Sequence, residues 1–297
     1  MKTIARGILF LSILDTFSFV AQIDSTVAIK KKRKMNIYIS WGYNREVYTK
    51  STIHFENKGD PAKQATMGNV YSPYNFTIYN VKAHDSPDFD HIAGSIKDVI
   101  NLTIPQFSGR IGFYFNNDRD EGFELNYDHA KYVVTDGQKV HIKGTILGQQ
   151  QDKDTVFQRQ NFHFEHTDGA NFIMANYMKR WKFFISKNGS NNIGIVAKAG
   201  AGVVYPRTDV TIFGQRLNNA WHIAGFIAGV ETGIRGEFWK HFCVEFTGKA
   251  AAADYLWCFI HGSGNGQANH SFGTLEANLN IGYQFSSNKP AFKKKLK

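Results

Sequence analysis

Strict alternation of apolar and polar residues near the C-terminus constrains the fold of this 297-residue chain more than any other feature. From Leu275 to Phe285 every second residue is apolar, and the residues between them are Glu, Asn, Gly and Gln. Side chains of a β-strand alternate between its two faces, so a period of two predicts a strand with a different solvent on each face. The segment is therefore predicted to separate a polar interior from an apolar exterior.

The same alternation recurs along most of the chain. The predicted strands cover 35–43, 49–56, 75–83, 107–115, 123–128, 157–177, 193–205, 221–235, 241–253 and 272–285. The weaker strand at 49–56 could turn back from 35–43, and the long strand at 157–177 is expected to bend at Asp168 and Gly169. Nine or ten strands result, depending on whether 49–56 pairs, and membrane barrels generally have an even number. The predicted fold class is all-β, an antiparallel transmembrane β-barrel of eight to ten strands with long outer loops.

The connections between the predicted strands alternate in length. Short turns at 116–122 and 236–240, with a somewhat longer link at 180–192, fall on one side of the barrel. The longer segments fall on the opposite side, and they are 84–106, 135–156, 206–219 and 254–270. Outer-membrane barrels have short periplasmic turns and longer outer loops, so this alternation favours a membrane barrel over a soluble sandwich.

The two ends of the chain are predicted to lie outside the barrel. Residues 1–22 begin with basic residues followed by a short apolar stretch, which is the arrangement of a signal peptide. No later run approaches the roughly 20 apolar residues that a membrane-spanning helix needs. The predicted barrel covers 35–286, and 287–297 form a basic tail. Cys243 and Cys258 are too few for a disulfide framework, and we interpret both as small hydrophobic residues.

Part of the formal net charge of +10 lies in two basic tracts, KKKRK at 30–34 and KKKLK at 293–297. Such tracts can bind nucleic acid. Here they flank the patterned region, and we interpret them as solvated ends near an anionic headgroup surface. The expected location is the bacterial outer membrane, and the expected partners are outer-membrane lipids and lipopolysaccharide, with no nucleic acid. The oligomeric state cannot be inferred from the sequence.

Nine charged residues are predicted to line the inner face of the barrel. The four cations are Arg110, Lys198, Arg235 and Lys249, and the five acids are Glu124, Asp128, Glu231, Glu245 and Glu276. Buried charges are costly unless they are paired, so this near balance of sign predicts ion pairs in a narrow polar lumen. A barrel of about eight strands is largely filled by side chains, which excludes a wide diffusion pore.

Histidines and acids are predicted to cluster at the outer rim. If the strands at 123–128 and 157–177 are neighbours across 135–156, the segments GFELNYDHAKYVV (122–134) and FHFEHTDGANF (162–172) meet there. The candidate catalytic residues are Asp128, His129, His163, His166 and Asp168, with Lys131, Tyr132 and Glu165 beside them. Histidine beside a carboxylate can act as a general base, and such clusters also bind divalent cations. No other cofactor is predicted.

The structural alternative is that these residues are ordinary solvent-exposed polar side chains beside the phosphates of the outer leaflet, with no catalytic or binding role. The sequence has no G-x-S-x-G elbow and no H-E-x-x-H helix. Ser108 and Ser271 are available hydroxyls, but neither has the sequence context of a nucleophile.

Several landmarks occur in a fixed order: SPYNFTIYNVKA, FSGRIGFYF, GFELNYDHAKYVV, FHFEHTDGANFIMANYMKRW, GIVAKAGAGVVYP and LNIGYQF. In this order the chain after about residue 35 resembles the small outer-membrane barrel family that includes the rhizobial-type lipid A oxidases. The D-H-A-K-Y, H-T-D-G-A-N and A-G-A-G-V-V-Y-P segments are the most specific. The resemblance implies a small barrel and, as an activity, oxidation of the proximal glucosamine of lipid A. It implies no particular catalytic residues.

Three functions are compatible with these observations. The first is a non-enzymatic barrel with a structural role or with envelope ligands at its outer rim. The second is a lipid A-modifying enzyme, oxidase-like or deacylase-like, working at the outer leaflet with the rim cluster as its site. The third is a narrow passive channel.

Overall fold

The computed structural model describes residues 36–59, 71–86, 106–115, 118–166, 169–261 and 266–286. The predicted signal peptide, the basic tail and Asp168 lie outside the described residues. Regular structure in the described ranges consists of 17 β-strands. No helix in those ranges is long and apolar enough to cross a membrane.

Eight strands form a closed antiparallel barrel. In order around the barrel they are β1 (Asn36–Tyr48), β5 (Phe107–Tyr114), β6 (Glu121–His129), β11 (Phe172–Ile185), β12 (Asn192–Val204), β15 (Gly225–Phe238), β16 (Phe242–His261) and β17 (Gly266–Ser286). Closure comes from β17, which pairs with β1 from Ser286 opposite Asn36 to Thr274 opposite Tyr48. Each strand alternates in burial as the sequence predicts, and the predicted fold class is confirmed.

The outer wall of the barrel carries an apolar belt. Its exposed members include Ile39, Trp41, Ile111, Phe113, Phe123, Leu125, Trp181, Ile195, Phe226, Val230, Ile234, Phe246, Leu275, Leu279, Ile281 and Phe285. Along β17 the belt runs from Phe285 to Leu275, and ten residue steps at about 3.3 Å and a tilt of about 40° span about 25 Å. That is the height of the apolar band on transmembrane barrels, so this wall faces lipid.

Connections at one end of the barrel are short, as predicted. The β5–β6, β11–β12 and β15–β16 turns all lie at the end where β1 begins and β17 finishes. At the other end, which is the outer end of this class of barrel, the connections fold into strands of their own.

Several sequence predictions about strands are wrong. The strand predicted at 75–83 lies outside the closed barrel, and the loops predicted at 135–156 and 206–219 contain strands. β2 (Ser51–Asn57) does not turn back on β1 but continues past it and pairs with the outer part of β17. Between β1 and β2, the Thr49 amide donates a hydrogen bond to the Gly273 carbonyl, so the chain stays alongside β17. The segment 254–270 is not a loop, since β16 and β17 stay paired almost to its middle. β10 (Phe162–His166) is separate from β11, because the chain turns at Gly169, whose φ is 125°.

The outer connections build two sheets, which we call the outer cap. The first extends the barrel sheet from β17 through β2, β3 (Tyr74–Val81), β8 (Lys139–Ile146) and β9 (Gln149–Val156). The second contains β4 (Ala83–His84), β7 (Tyr132–Val134), β10, β13 (Asp209–Ile212) and β14 (Gln215–Asn218). All five residues of β10 are buried, and Phe164 packs on Phe55 with ring centroids 5.4 Å apart. The second sheet thus packs against the inward faces of β2, β16 and β17.

Candidate functional site

Ion pairs fill the middle of the lumen. Lys198 Nζ lies 2.8 Å from Glu124 Oε1, 3.1 Å from Glu231 Oε1 and 2.5 Å from Glu245 Oε1. Arg110 Nη1 lies 3.0 Å from Glu124 Oε1 and 2.9 Å from Glu231 Oε2. These side chains are almost completely buried. They satisfy one another, as buried charges must if the barrel is to be stable.

The other charged residues predicted for the lumen extend this network in both directions. Arg235 Nη1 lies 3.0 Å from Glu245 Oε2 toward the short-turn end. Toward the outer end, Lys249 Nζ lies 2.7 Å from Glu276 Oε2 and also pairs with Asp128. All nine charged residues that alternation assigns to the inner face therefore have a buried partner of opposite sign.

Sequence reasoning missed some lumen charges. Arg180 pairs with Glu237 inside the barrel, whereas the sequence pattern predicts both positions to lie in connections between strands. Glu46 is also buried, and it accepts a 2.5 Å hydrogen bond from Gln106, which contacts Asp85 as well. The sequence does carry a signal for Arg180 and Glu237, because both continue the period-two pattern of β11 and β15 beyond the predicted strand ends.

A layer of aromatic side chains closes the outer end of the lumen. Phe272 stacks on Tyr132 with centroids 4.6 Å apart and contacts Tyr48 at 5.3 Å and Tyr255 at 5.6 Å. All three hydroxyls are fixed: Tyr132 bonds to Ser51 Oγ at 2.8 Å, Tyr255 donates to the Ala170 carbonyl at 2.7 Å and Tyr48 donates to the Lys131 carbonyl at 2.8 Å. Burial raises the pKa of Tyr132 in the cap, so it stays neutral. We call these four rings the aromatic layer.

The predicted catalytic residues on β6 face different surroundings. Asp128 points into the lumen, where it accepts a 2.8 Å hydrogen bond from Ser108 and pairs with Lys249. His129, the next residue, lies on the opposite face, as neighbours on a strand do. Its Nδ1 is 2.8 Å from Asn171 Oδ1 and its ring stacks on Phe107 with centroids 5.3 Å apart. The structure therefore does not bring these two side chains into one site.

His163 is held between two carboxylates in the outer cap. Its Nδ1 lies 2.9 Å from Asp136 Oδ1, and its Nε2 lies 2.6 Å from Glu165 Oε2. Burial opposes protonation of the ring, but the hydrogen bonds that the protonated ring donates to Glu165 and Asp136 outweigh it and raise the pKa of His163. With both ring nitrogens occupied, this imidazole forms a structural bridge.

His166 lies deeper, between the cap sheet and the barrel strands. Its Nε2 is 3.2 Å from His270 Nε2 and 3.9 Å from Cys258 Sγ, and its Nδ1 is 3.1 Å from Thr208 Oγ1. Burial, together with neighbouring histidines, lowers the pKa of His166, so this ring is neutral near pH 7.

The structure brings together two pairs from the predicted rim cluster: His166 with Tyr132, which are partners across β10 and β7, and His163 with Glu165, which are hydrogen-bonded. It leaves Asp128, His129 and His163 in separate surroundings. His270 and Cys258 were not predicted for this cluster. The two strands of the β16–β17 hairpin bring them close, since Cys258 pairs with Ala268 and His270 pairs with Tyr255. This pairing is hidden once 254–270 is taken as a loop.

A groove lies near the outer end of the lipid-facing wall, with a volume of about 660 Å³. Its lining is mostly apolar and consists of Val47, Tyr48, Thr49, Ala228, Gly229, Val230, Ala250, Ala251, Ala252, Gly273, Thr274 and Leu275. Because the lining residues of β15 and β16 are mostly alanine and glycine, the backbone of these two strands forms the floor of the groove. Larger residues form its sides.

A closed eight-stranded antiparallel barrel with an apolar exterior and a filled polar lumen defines the protein as an outer-membrane β-barrel. Three solved outer-membrane structures are similar to it. Outer membrane protein OprG from Pseudomonas aeruginosa matches at TM-score 0.38 and 10% identity, over 86% of this chain and 98% of its own. The attachment invasion locus protein Ail of Yersinia pestis matches at 0.29 and 11%, over 85% and 99%. Neisserial surface protein A matches at 0.28 and 13%, over 82% and 96%. No protein-family model and no curated protein matches the sequence.

Proposed function

We propose that this protein is a non-enzymatic barrel of the bacterial outer membrane that keeps its lumen sealed and binds envelope ligands at its outer rim. The observation that carries the proposal is the filled lumen. The ion pairs around Lys198 occupy its middle, and the aromatic layer and the cap sheet lie above them. A passive channel needs a continuous polar path, and this arrangement supports a sealed barrel instead.

The groove in the outer wall supports binding of a lipid. It lies at the outer end of the apolar belt, where Val47, Val230 and Leu275 flank a floor of small residues. A hydrocarbon chain of an outer-leaflet lipid or lipopolysaccharide matches this lining, because burying apolar surface on both partners is favourable. Headgroups would then lie beside the outer cap.

The test is to fill the groove with a larger side chain and to measure by mass how much lipid stays bound to the protein. Native mass spectrometry of the purified protein should show retained lipid in the wild type and markedly less in Ala250→Leu. The matched control is Ala199→Leu, an exposed alanine on the same lipid-facing wall but outside the groove. Equal lipid retention in both variants would contradict a groove-bound ligand.

Lipid A modification is the second candidate, and the resemblance of the D-H-A-K-Y and H-T-D-G-A-N segments to the rhizobial-type lipid A oxidases favours it. The arrangement of the described side chains gives it less support. In the described part of the chain, the hydroxyls of Ser108 and Ser271 bond to Asp128 and Asp254 and not to a histidine.

Mass spectra of lipid A from cells with and without the protein decide between the two candidates. We expect identical spectra. A gain of one oxygen atom or loss of an acyl chain, abolished by His129→Ala or His166→Ala, would replace the first proposal with the second.

A further inference from the structure

Three metal-ligating side chains meet between the cap sheet and the barrel. They are His166 on β10, Cys258 on β16 and His270 on β17, and one ligand atom from each lies within 4.8 Å of the others. The His166 and His270 Nε2 atoms are 3.2 Å apart, and Cys258 Sγ is 3.9 Å from His166 Nε2. All three side chains are at least 98% buried.

We propose that His166, Cys258 and His270 form a binding site for a thiophilic metal ion, a role separate from the proposed binding of lipid. At a tetrahedral centre, metal–nitrogen bonds of about 2.0–2.1 Å and metal–sulfur bonds of about 2.3 Å place two nitrogens about 3.3 Å apart and a nitrogen and a sulfur about 3.5 Å apart. The nitrogen pair already has this spacing. The Cys258 sulfur is about 0.4 Å farther from His166 Nε2 than this spacing, a difference that a small rotation of the cysteine side chain can remove.

The surroundings hold the ligands in place. Thr208 Oγ1 lies 3.1 Å from His166 Nδ1, so it can accept a hydrogen bond from Nδ1–H. The ring then carries its proton on Nδ1, and Nε2 is free to bind an ion. Such outer partners fix the tautomer of metal-binding histidines. The Tyr255 ring stacks on His166 and on His270, with centroids 4.9 Å apart in both cases. The imidazoles are therefore fixed with their Nε2 atoms facing each other.

The facing Nε2 atoms suit a shared metal ion better than a shared proton. Two neutral imidazoles can form only one N–H···N hydrogen bond between these atoms, which lie 3.2 Å apart. A metal ion there would take a lone pair from both Nε2 atoms and from the sulfur.

The charge of the site favours copper(I) over zinc(II). Binding releases the thiol proton of Cys258 to solvent, so the ligand set is one thiolate and two neutral imidazoles. Copper(I) makes the site neutral, whereas zinc(II) leaves one positive charge. The walls are the rings of Tyr132, Phe164 and Tyr255, and the ligand group contains no carboxylate from the described ranges. An uncompensated charge is costly there, and thiolate and imidazole suit copper(I).

The test is a titration of the full-length protein in detergent with copper(I), and separately with zinc(II), against a coloured competing chelator under reducing conditions. We expect one equivalent of copper(I) to bind, with affinity at least about 100-fold lower in Cys258→Ser and in His270→Gln, since even outer-shell changes cost 10–100-fold. The matched control is Cys243→Ser, which changes the other buried free cysteine. It should bind like the wild type.

Heat-modifiable migration on gels first shows that each variant is folded, and His166→Gln replaces any variant that is not. X-ray absorption of the copper-loaded protein should show sulfur and nitrogen ligands. Binding of neither metal, or an equal loss in Cys243→Ser, would overturn the site. Tighter binding of zinc(II) than of copper(I) would overturn the charge argument.

Discussion

Lys198 is the residue on which the lumen network depends most, because a single ammonium group meets three carboxylates. Replacing it with methionine leaves Glu124, Glu231 and Glu245 with one cation fewer in a buried site. Removing one partner from a buried ion pair typically costs about 3–5 kcal/mol. We therefore expect Lys198→Met to lower the free energy of unfolding by about this amount, measured by urea unfolding in micelles and followed by gel shift.

Lys179 provides the matched control for this prediction. It pairs with Glu121 at 2.8 Å, but these side chains are 44% and 39% exposed, whereas the Lys198 pairs are buried. Exposed pairs contribute about 0–1 kcal/mol, so Lys179→Met should be nearly neutral. Equal effects of the two substitutions would show that the lumen network does not stabilise the barrel.

The bridge at His163 gives the outer cap a dependence on pH. The groups that face the ring are Asp136 and Glu165, which raise its pKa, and Arg159, which lowers it. A raised pKa in the folded state means that the bridge stabilises fully below about pH 6.5, the ordinary value. That stability is lost as pH rises through the raised pKa.

Thermal unfolding between pH 6 and 9 checks the sign of this effect. The wild type should lose stability across this range, and His163→Gln should lose less, because glutamine has no proton to release. A wild type that gained stability as pH rose, with the variant unchanged, would show that the two carboxylates do not hold a protonated ring.

Nine of the lumen charges could be predicted from the sequence because alternation alone assigns each residue of a recognised strand to a face. Arg110 and Glu231 needed no knowledge of distant contacts. The meeting of His166 with Cys258 and His270 could not be predicted in this way. It depends on a cap strand folding back over a hairpin, and that placement is set by packing between segments far apart in the sequence.

At the scale of strands, the approach of β1 to β5 depends on one glycine. Tyr38 lies opposite Gly112, and a Cβ at Gly112 would be 2.3 Å from the tyrosine ring. The same ring lies 4.0 Å from the guanidinium of Arg235 and its hydroxyl contacts Glu124. Gly112→Val should therefore displace Tyr38 and destabilise the barrel by about 1–3 kcal/mol, as overpacking does.

Gly248 is the matched control for Gly112. It also lies in a barrel strand, but a Cβ there meets nothing within 4 Å, because the position faces lipid. Gly248→Val should leave unfolding in urea almost unchanged. If both valines had the same effect, the cause would be strand propensity and not the contact with Tyr38.

The barrel strands were easier to predict than the cap strands for a physical reason. A barrel strand has lipid on one side and a polar lumen on the other, so its pattern is strict. β10 is buried on both faces, and all of β9 except Gln151 and Thr155 is exposed. Neither β9 nor β10 shows the period of two that would mark its start. The prediction that β2 turns back on β1 is wrong for another reason, since its pairing depends on β17, which is distant in the sequence.

At the scale of the whole molecule, the filled lumen predicts a barrel that does not conduct ions. The purified protein should give no single-channel steps in planar bilayers at any voltage that the membrane withstands. A known porin in the same preparation serves as the positive control. Reproducible steps would mean that the ion pairs around Lys198 and the aromatic layer open together, which would favour the channel.

One strand is shared between the barrel and its outer cap. β17 pairs with β16 along one edge, and along the other edge it pairs first with β1 and then with β2. The chain is synthesised from its N-terminus, so β1 and β2 are made long before β17, their shared partner. Neither the barrel wall nor this side of the cap can be completed before β17 is made, and a chain truncated before β17 loses the common edge of both.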